Sequence, residues 1–171
     1  MSLLGWLLIT LGLFASTTAP ALDVPAAQRE SRGRYIAAVA GCHDCHTPGY
    51  TMNGGQAPQE VWFTGDTLGW SGPWGTTYPA NLRLRVADMS EREWIAYART
   101  LKTRPPMPYW ALNTMEDGDL SALWIMFKSL GKAGAPAPAA LPPGVEAKGP
   151  VVRFPAPPPQ AATVNATGSG R

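Results

Sequence analysis

Both cysteines of this 171-residue chain fall within five positions, Cys42-His43-Asp44-Cys45-His46. Spaced C-x-x-C and followed at once by histidine, they form the pattern of c-type haem attachment. The spacing has a physical basis. Near a helix end, residues i and i+3 share a face, so two thiols can add to the two vinyl groups along one porphyrin edge. His46 then lies beneath the ring centre, where Nε2 can bind the iron. Its other ring nitrogen is expected to donate to a backbone carbonyl and fix the tautomer, and the turn-rich chain at 54–58 is the expected source of that carbonyl. The reading is one covalent haem c on Cys42 and Cys45, with His46 as proximal iron ligand. His43, between the thiols, is read as a solvated side chain facing away from the ring, with no role. Other uses of these residues fit less well. A redox C-x-x-C belongs near a βαβ pattern, which is not seen. Zinc needs four ligands, and no Cys or His occurs outside 42–46. A structural disulfide gives no reason for His46.

The opposite face of the iron needs a second ligand or stays open. His43 is excluded by its position, which leaves methionines 52, 89, 107, 115 and 126. Met126 falls on an expected helix and Met89 just before another, where core packing explains them. Met107 sits between Pro106 and Pro108, 61 residues after His46. A proline frame is a good way to hold a flexible thioether, so Met107 is the first candidate for distal ligand, ahead of Met115 and then Met52. If Met107 is only a surface methionine, the iron site is open.

The elements that must position these residues are short. Eighteen Gly and eighteen Pro exceed the average share, which argues against a long-helix bundle. Residues 26–41 read as an amphipathic helix ending at Gly41, carrying Tyr35, Ile36, Val39 and Ala40. From 47 to 88 no period of 3.6 or 2 is sustained. Ser90 with Glu93 forms a capping box opening a helix over about 91–101, with Trp94, Ile95, Tyr97 and Ala98. Three prolines in 105–108 forbid its continuation. A last helix starts at Asp117 or Gly118, spaces Leu120, Leu123, Trp124 and Phe127 along one face, and stops at Gly131. Three short helices around a 42-residue irregular stretch would make a poor core, unless something large and apolar fills the centre.

Both ends differ from the middle. Residues 3–14 form a 12-residue apolar run, too short to span a bilayer, and Ala19-Pro20-Ala21 supplies a cleavage site. Residues 1–21 are therefore read as a signal peptide, with an uncleaved anchor as the competing reading, and the mature chain from 22 is expected in the periplasm with no membrane span. Nine of the eighteen prolines lie in 136–159. Residues 132–171 read as a Pro/Ala-rich extension to a 22–131 domain. Leu141, Val145, Val151, Val152 and Phe154 are expected to strap it down, and the final ten residues are expected to be disordered. Only 15% of residues are charged and the net charge is +2, without the basic stripe of nucleic-acid binders.

Taken together, RGRYIAAVAGCHDCHTPG at 32–49, WGTTYPANL at 74–82, MSEREWIAYART at 89–100, MPYW at 107–110 and MEDGDLSALWIMFKSLG at 115–131 resemble class I-type monohaem cytochromes c. The likeness is strongest to the cytochrome c domains of bacterial alcohol and aldehyde dehydrogenase cytochrome subunits. The resemblance implies an all-α cytochrome c-type fold, three to four short helices and long irregular loops wrapped around one haem. It implies Met107 as distal ligand, and Trp74, Tyr78 and Asn81 as haem contacts, with Arg83, Arg85 and Arg99 as candidate partners of the propionates. Those subunits carry several haem domains, whereas this chain carries one motif. The expected function is electron transfer, not enzymatic catalysis: single electrons pass from a dehydrogenase donor to an oxidase or cytochrome acceptor. The alternatives are an open-site haem protein acting on peroxide or a small ligand, and an interaction module whose tail docks to a partner.

Overall fold

The computed structural model describes residues 25–155; the expected signal peptide and the expected disordered end lie outside them. The first helix, α1 (Ala26–Val39), closes on Ala40. Gly41 follows at φ +69°, the left-handed conformation that costs glycine least, and the chain reverses directly into α2 (Cys42–His46). Single 3-10 turns at Thr51–Asn53 and Gln59–Val61 follow. Then come a hairpin, β1 (Gly69–Gly72) and β2 (Gly75–Thr77), and the short helix α3 (Leu82–Val86). The Ser90–Glu93 capping box opens α4 (Glu91–Thr100). After the proline segment, α5 (Tyr109–Thr114) and α6 (Asp117–Leu130) complete the helices. A final strand, β3 (Val151–Arg153), lies in the extension.

The core is helical. Leu120, Leu123, Met126 and Phe127 of α6 are buried together with Ala37 of α1, Val86 of α3, Trp94 and Ala98 of α4, and Phe63 from the loop. α1 and α6 cross at a glycine. A Cβ at Gly33 would stand 2.2 Å from the Ala122 carbonyl oxygen and 2.8 Å from the Met126 Cβ, so only a bare backbone permits this approach. Trp94 adds a polar tie, its Nε1 donating to the Leu120 carbonyl at 2.8 Å.

The chain is mostly helical but not all-α. There are six α-helices among the described residues, where three to four were expected, and a three-stranded sheet of order β2-β1-β3. β1 pairs antiparallel with β2, Trp70 opposite Thr77, and parallel with β3, Gly69 opposite Val151. The stretch 47–88 is thus not without regular elements. Its strands are three and four residues long, too short for an alternation to stand out. α5 also departs from expectation: Pro108 is its N-cap, and the Pro108 carbonyl accepts from the Ala111 amide to open the helix.

The extension lies on the hairpin. Leu141 bridges Thr76 through both backbone hydrogen bonds, 3.1 and 2.8 Å. The Phe154 ring packs edge-on against Trp74, centroids 5.1 Å apart. Of the expected anchors, Val145, Val152 and Phe154 are exposed, Val145 most, and Leu141 and Val151 are half-buried.

Candidate functional site

The five residues of the motif form one helical turn and a half, with Gly41 as its left-handed entry. Cys42 and Cys45 are half-buried, unpaired thiols. Burial pushes the Cys42 thiol up to about 11 and raises Cys45 as well. A redox-active C-x-x-C has its thiol lowered instead, the opposite direction.

His46 is buried, and its Nδ1 stands 2.8 Å from the Ala80 carbonyl oxygen. A carbonyl only accepts, so Nδ1 carries the proton and Nε2 keeps a free lone pair. Nε2 has no hydrogen-bond partner among the described residues. Burial lowers the pKa of His46, partly offset by the Ala80 bond, so the ring is neutral, the form that binds a metal. The orienting carbonyl comes from Ala80, just before α3, and not from 54–58. Nothing in the sequence marks it, because any residue type can offer a carbonyl.

His43 departs from expectation. It is buried, not solvated. Its ring stacks on Tyr50 at 4.6 Å, lies 4.1 Å from Phe63, and meets the edge of Trp62 at 4.9 Å. Thr47 Oγ1 accepts from the Phe63 amide at 3.0 Å, so its own proton is free for His43 Nδ1 at 2.9 Å. Burial drives the His43 pKa down to about 4. The residue anchors one side of α2 in an aromatic cage.

Ala80 also lines a cavity of about 400 Å3, whose walls do not include Cys42, Cys45 or His46. Tyr78, Ala80, Asn81, Leu84 and Arg85 line one side, and residues 136–138 of the extension line the other. Of the expected contacts, the structure brings Tyr78 and Asn81 to this cavity. Asn81 is fully engaged: its oxygen caps α3 by accepting from the Leu84 amide, and its nitrogen donates to the carbonyls of Ala133 and Ala135. Trp74 lies elsewhere, donating to the Trp70 carbonyl and packing on Phe154.

The three arginines separate clearly. Arg83 spends its guanidinium on the carbonyls of Glu60, Leu130 and Gly131, closing the end of α6. Arg99 binds the Asn113 carbonyl and Asp117. Arg85 alone lines the cavity. The methionines separate too. Met126 is fully buried in the core, Met52 is 87% exposed, and Met89 and Met115 pack on the core. Met107 is half-buried outside that core, in the turn before α5, and does not line the cavity.

Do these residues fit a haem? The donor set does: two unpaired protonated thiols one turn apart, then a neutral imidazole with Nε2 unengaged. Trp70 Nε1 on β1 has no acceptor among the described residues, a state that costs about 1–3 kcal/mol, but Trp70 does not line the cavity and packs on Phe154. Arg29 Nε on α1 is the other such atom. Among the described residues no cluster of three or more metal-ligating side chains occurs, and no helix is long and apolar enough to cross a membrane. Comparison with known families, with characterised proteins and with solved structures finds no match for the chain.

Proposed function

We propose that the chain is an exported c-type cytochrome that carries single electrons between a dehydrogenase and a respiratory acceptor. One observation carries this reading: the Ala80 carbonyl holds the Nδ1 proton of His46, so Nε2 is presented unengaged beside two unpaired thiols. Cys42 and Cys45 would hold the porphyrin through thioethers, His46 the iron on one face and Met107 the other. When bound, such a group supplies one-electron exchange, and joint His and Met ligation raises its potential. The rest is the work of the chain. Ala80 fixes the imidazole tautomer, the His43 cage fixes the helix that bears the thiols, and Arg85 offers a cation to carboxylates at the cavity. With His46 and Met107 both engaged by that group, no position on it would be left for substrate, which favours electron carriage over catalysis. Partner docking is then expected to be brief and through a small interface. The small net charge gives modest steering and a shallow salt dependence.

The test is a pyridine haemochrome assay on protein made with cytochrome-maturation machinery, together with the ferric spectrum. One covalent haem per chain and a methionine–iron charge-transfer band are expected. A high-spin ferric spectrum would replace the shuttle with an open-site haem protein. A colourless product with its two thiols joined would remove the reading altogether.

A further inference from the structure

The segment that bears Met107 runs between Leu101 and Leu112, which reach the core. Its ties run to the hairpin and to the C-terminal extension. Arg104 Nη1 donates to the carbonyls of Trp74 and Leu141, both at 2.9 Å. Thr77 Oγ1 donates to the Pro105 carbonyl at 2.8 Å. Leu141 is the residue that bridges Thr76, so its carbonyl serves both the Thr76 amide and Arg104. Gly75 shows how closely the extension lies here, since a Cβ would meet the Leu141 oxygen at 2.2 Å.

Resting on the reading of Met107 as distal ligand, we propose that Arg104 is a positioning residue that couples the C-terminal extension to Met107. The extension's backbone then fixes the loop that presents the thioether. The physical argument is one of entropy and charge. A methionine side chain has three rotatable bonds, and a loop free to drift would add its own freedom to what must be frozen for ligation. One guanidinium nitrogen sharing two carbonyls pins the loop three residues before the sulfur. Lysine keeps the charge and has donors enough for both acceptors, but on a flexible stem that is not preorganised. Coupling of this kind is reciprocal: whatever detaches Met107 must also loosen the extension.

The experiment uses the full-length haem-loaded protein, with imidazole as the competing ligand and the methionine–iron band as readout. Arg104→Gln is expected to lower the imidazole concentration that abolishes the band about tenfold, as losing charge-assisted hydrogen bonds should, and to lower the reduction potential, with haem content unchanged. Gly75→Ala, which crowds the Leu141 carbonyl and strains the left-handed residue next to Trp74, so that both acceptors of Arg104 are disturbed, is expected to act in the same direction, and Arg104→Lys to fall between Gln and wild type. In the reverse direction, saturating imidazole is expected to speed tryptic cleavage of the extension at Lys148 several-fold. Unchanged imidazole midpoint and potential in Arg104→Gln overturn the proposal, as does a cleavage rate at Lys148 that ignores imidazole. Failure of the underlying reading looks different: Met107→Ala would keep the wild-type band.

Discussion

The two sides of this molecule are held together in different ways. On one side, α1, α4 and α6 bury Ala37, Ala98, Leu120, Leu123, Met126 and Phe127 against each other, and shape does most of the work. On the other, the hairpin, the Met107 loop and the extension bury little. They are joined by polar groups reaching backbone carbonyls: Asn81 to Ala133 and Ala135, Thr77 to Pro105, Arg104 to Trp74 and Leu141. Arg83 belongs to the first side, its guanidinium joining the end of α6 to the Glu60 carbonyl. The difference teaches that a region of short elements can be fixed by a few directed hydrogen bonds where no apolar face is available.

Breaking the motif should produce the largest effect. The double change Cys42→Ala and Cys45→Ala is expected to abolish covalent haem, seen as complete loss of pigment from the polypeptide on denaturing gels. If the second side depends on that group more than the first, the double variant should retain helical circular dichroism better than it retains resistance of the extension to protease.

Next comes the helix crossing. Gly33→Ala forces α1 from the Ala122 carbonyl, a clash with backbone that cannot swing aside. It is expected to cost about 3 kcal/mol, the upper end of what overpacking costs, measured as a lower urea midpoint. Arg83→Leu follows, stranding acceptors at the end of α6, with an expected cost of about 2 kcal/mol, measured in the same way.

How much of this was legible in the sequence? Signals acting within a few residues read correctly. Ser90 with Glu93 marked the start of α4, Gly131 the end of α6, and the C-x-x-C-H spacing the turn that became α2. What could not be read was set by distance along the chain. Ala80 reaches back 34 positions to His46. The cage around His43 draws on residues 47, 50, 62 and 63, brought together by a loop without a period. Arg83, Arg85 and Arg99 are identical in type, and only their surroundings tell the structural pair from the one at the cavity.

The smallest expected effect tests that cage. The folded pKa of His43 is about 4 against 6.5 for a free imidazole, with burial the cause and Asp44 pulling weakly the other way. The unfolded chain therefore takes up this proton first. The stabilising contribution is complete above pH 6.5, declines as the pH falls towards 4, and changes no further below that. His43→Phe keeps an aromatic ring in the cage and removes this slope. The acid unfolding midpoint is expected to move down by roughly half a pH unit, followed by circular dichroism.

Parallel pairing of Gly69 with Val151 has a consequence for the order of events. A polypeptide emerging from a ribosome amino end first displays its two thiols long before the strand that completes the sheet has been delivered. The helical turn that bears them can therefore form while the hairpin still waits for its third strand.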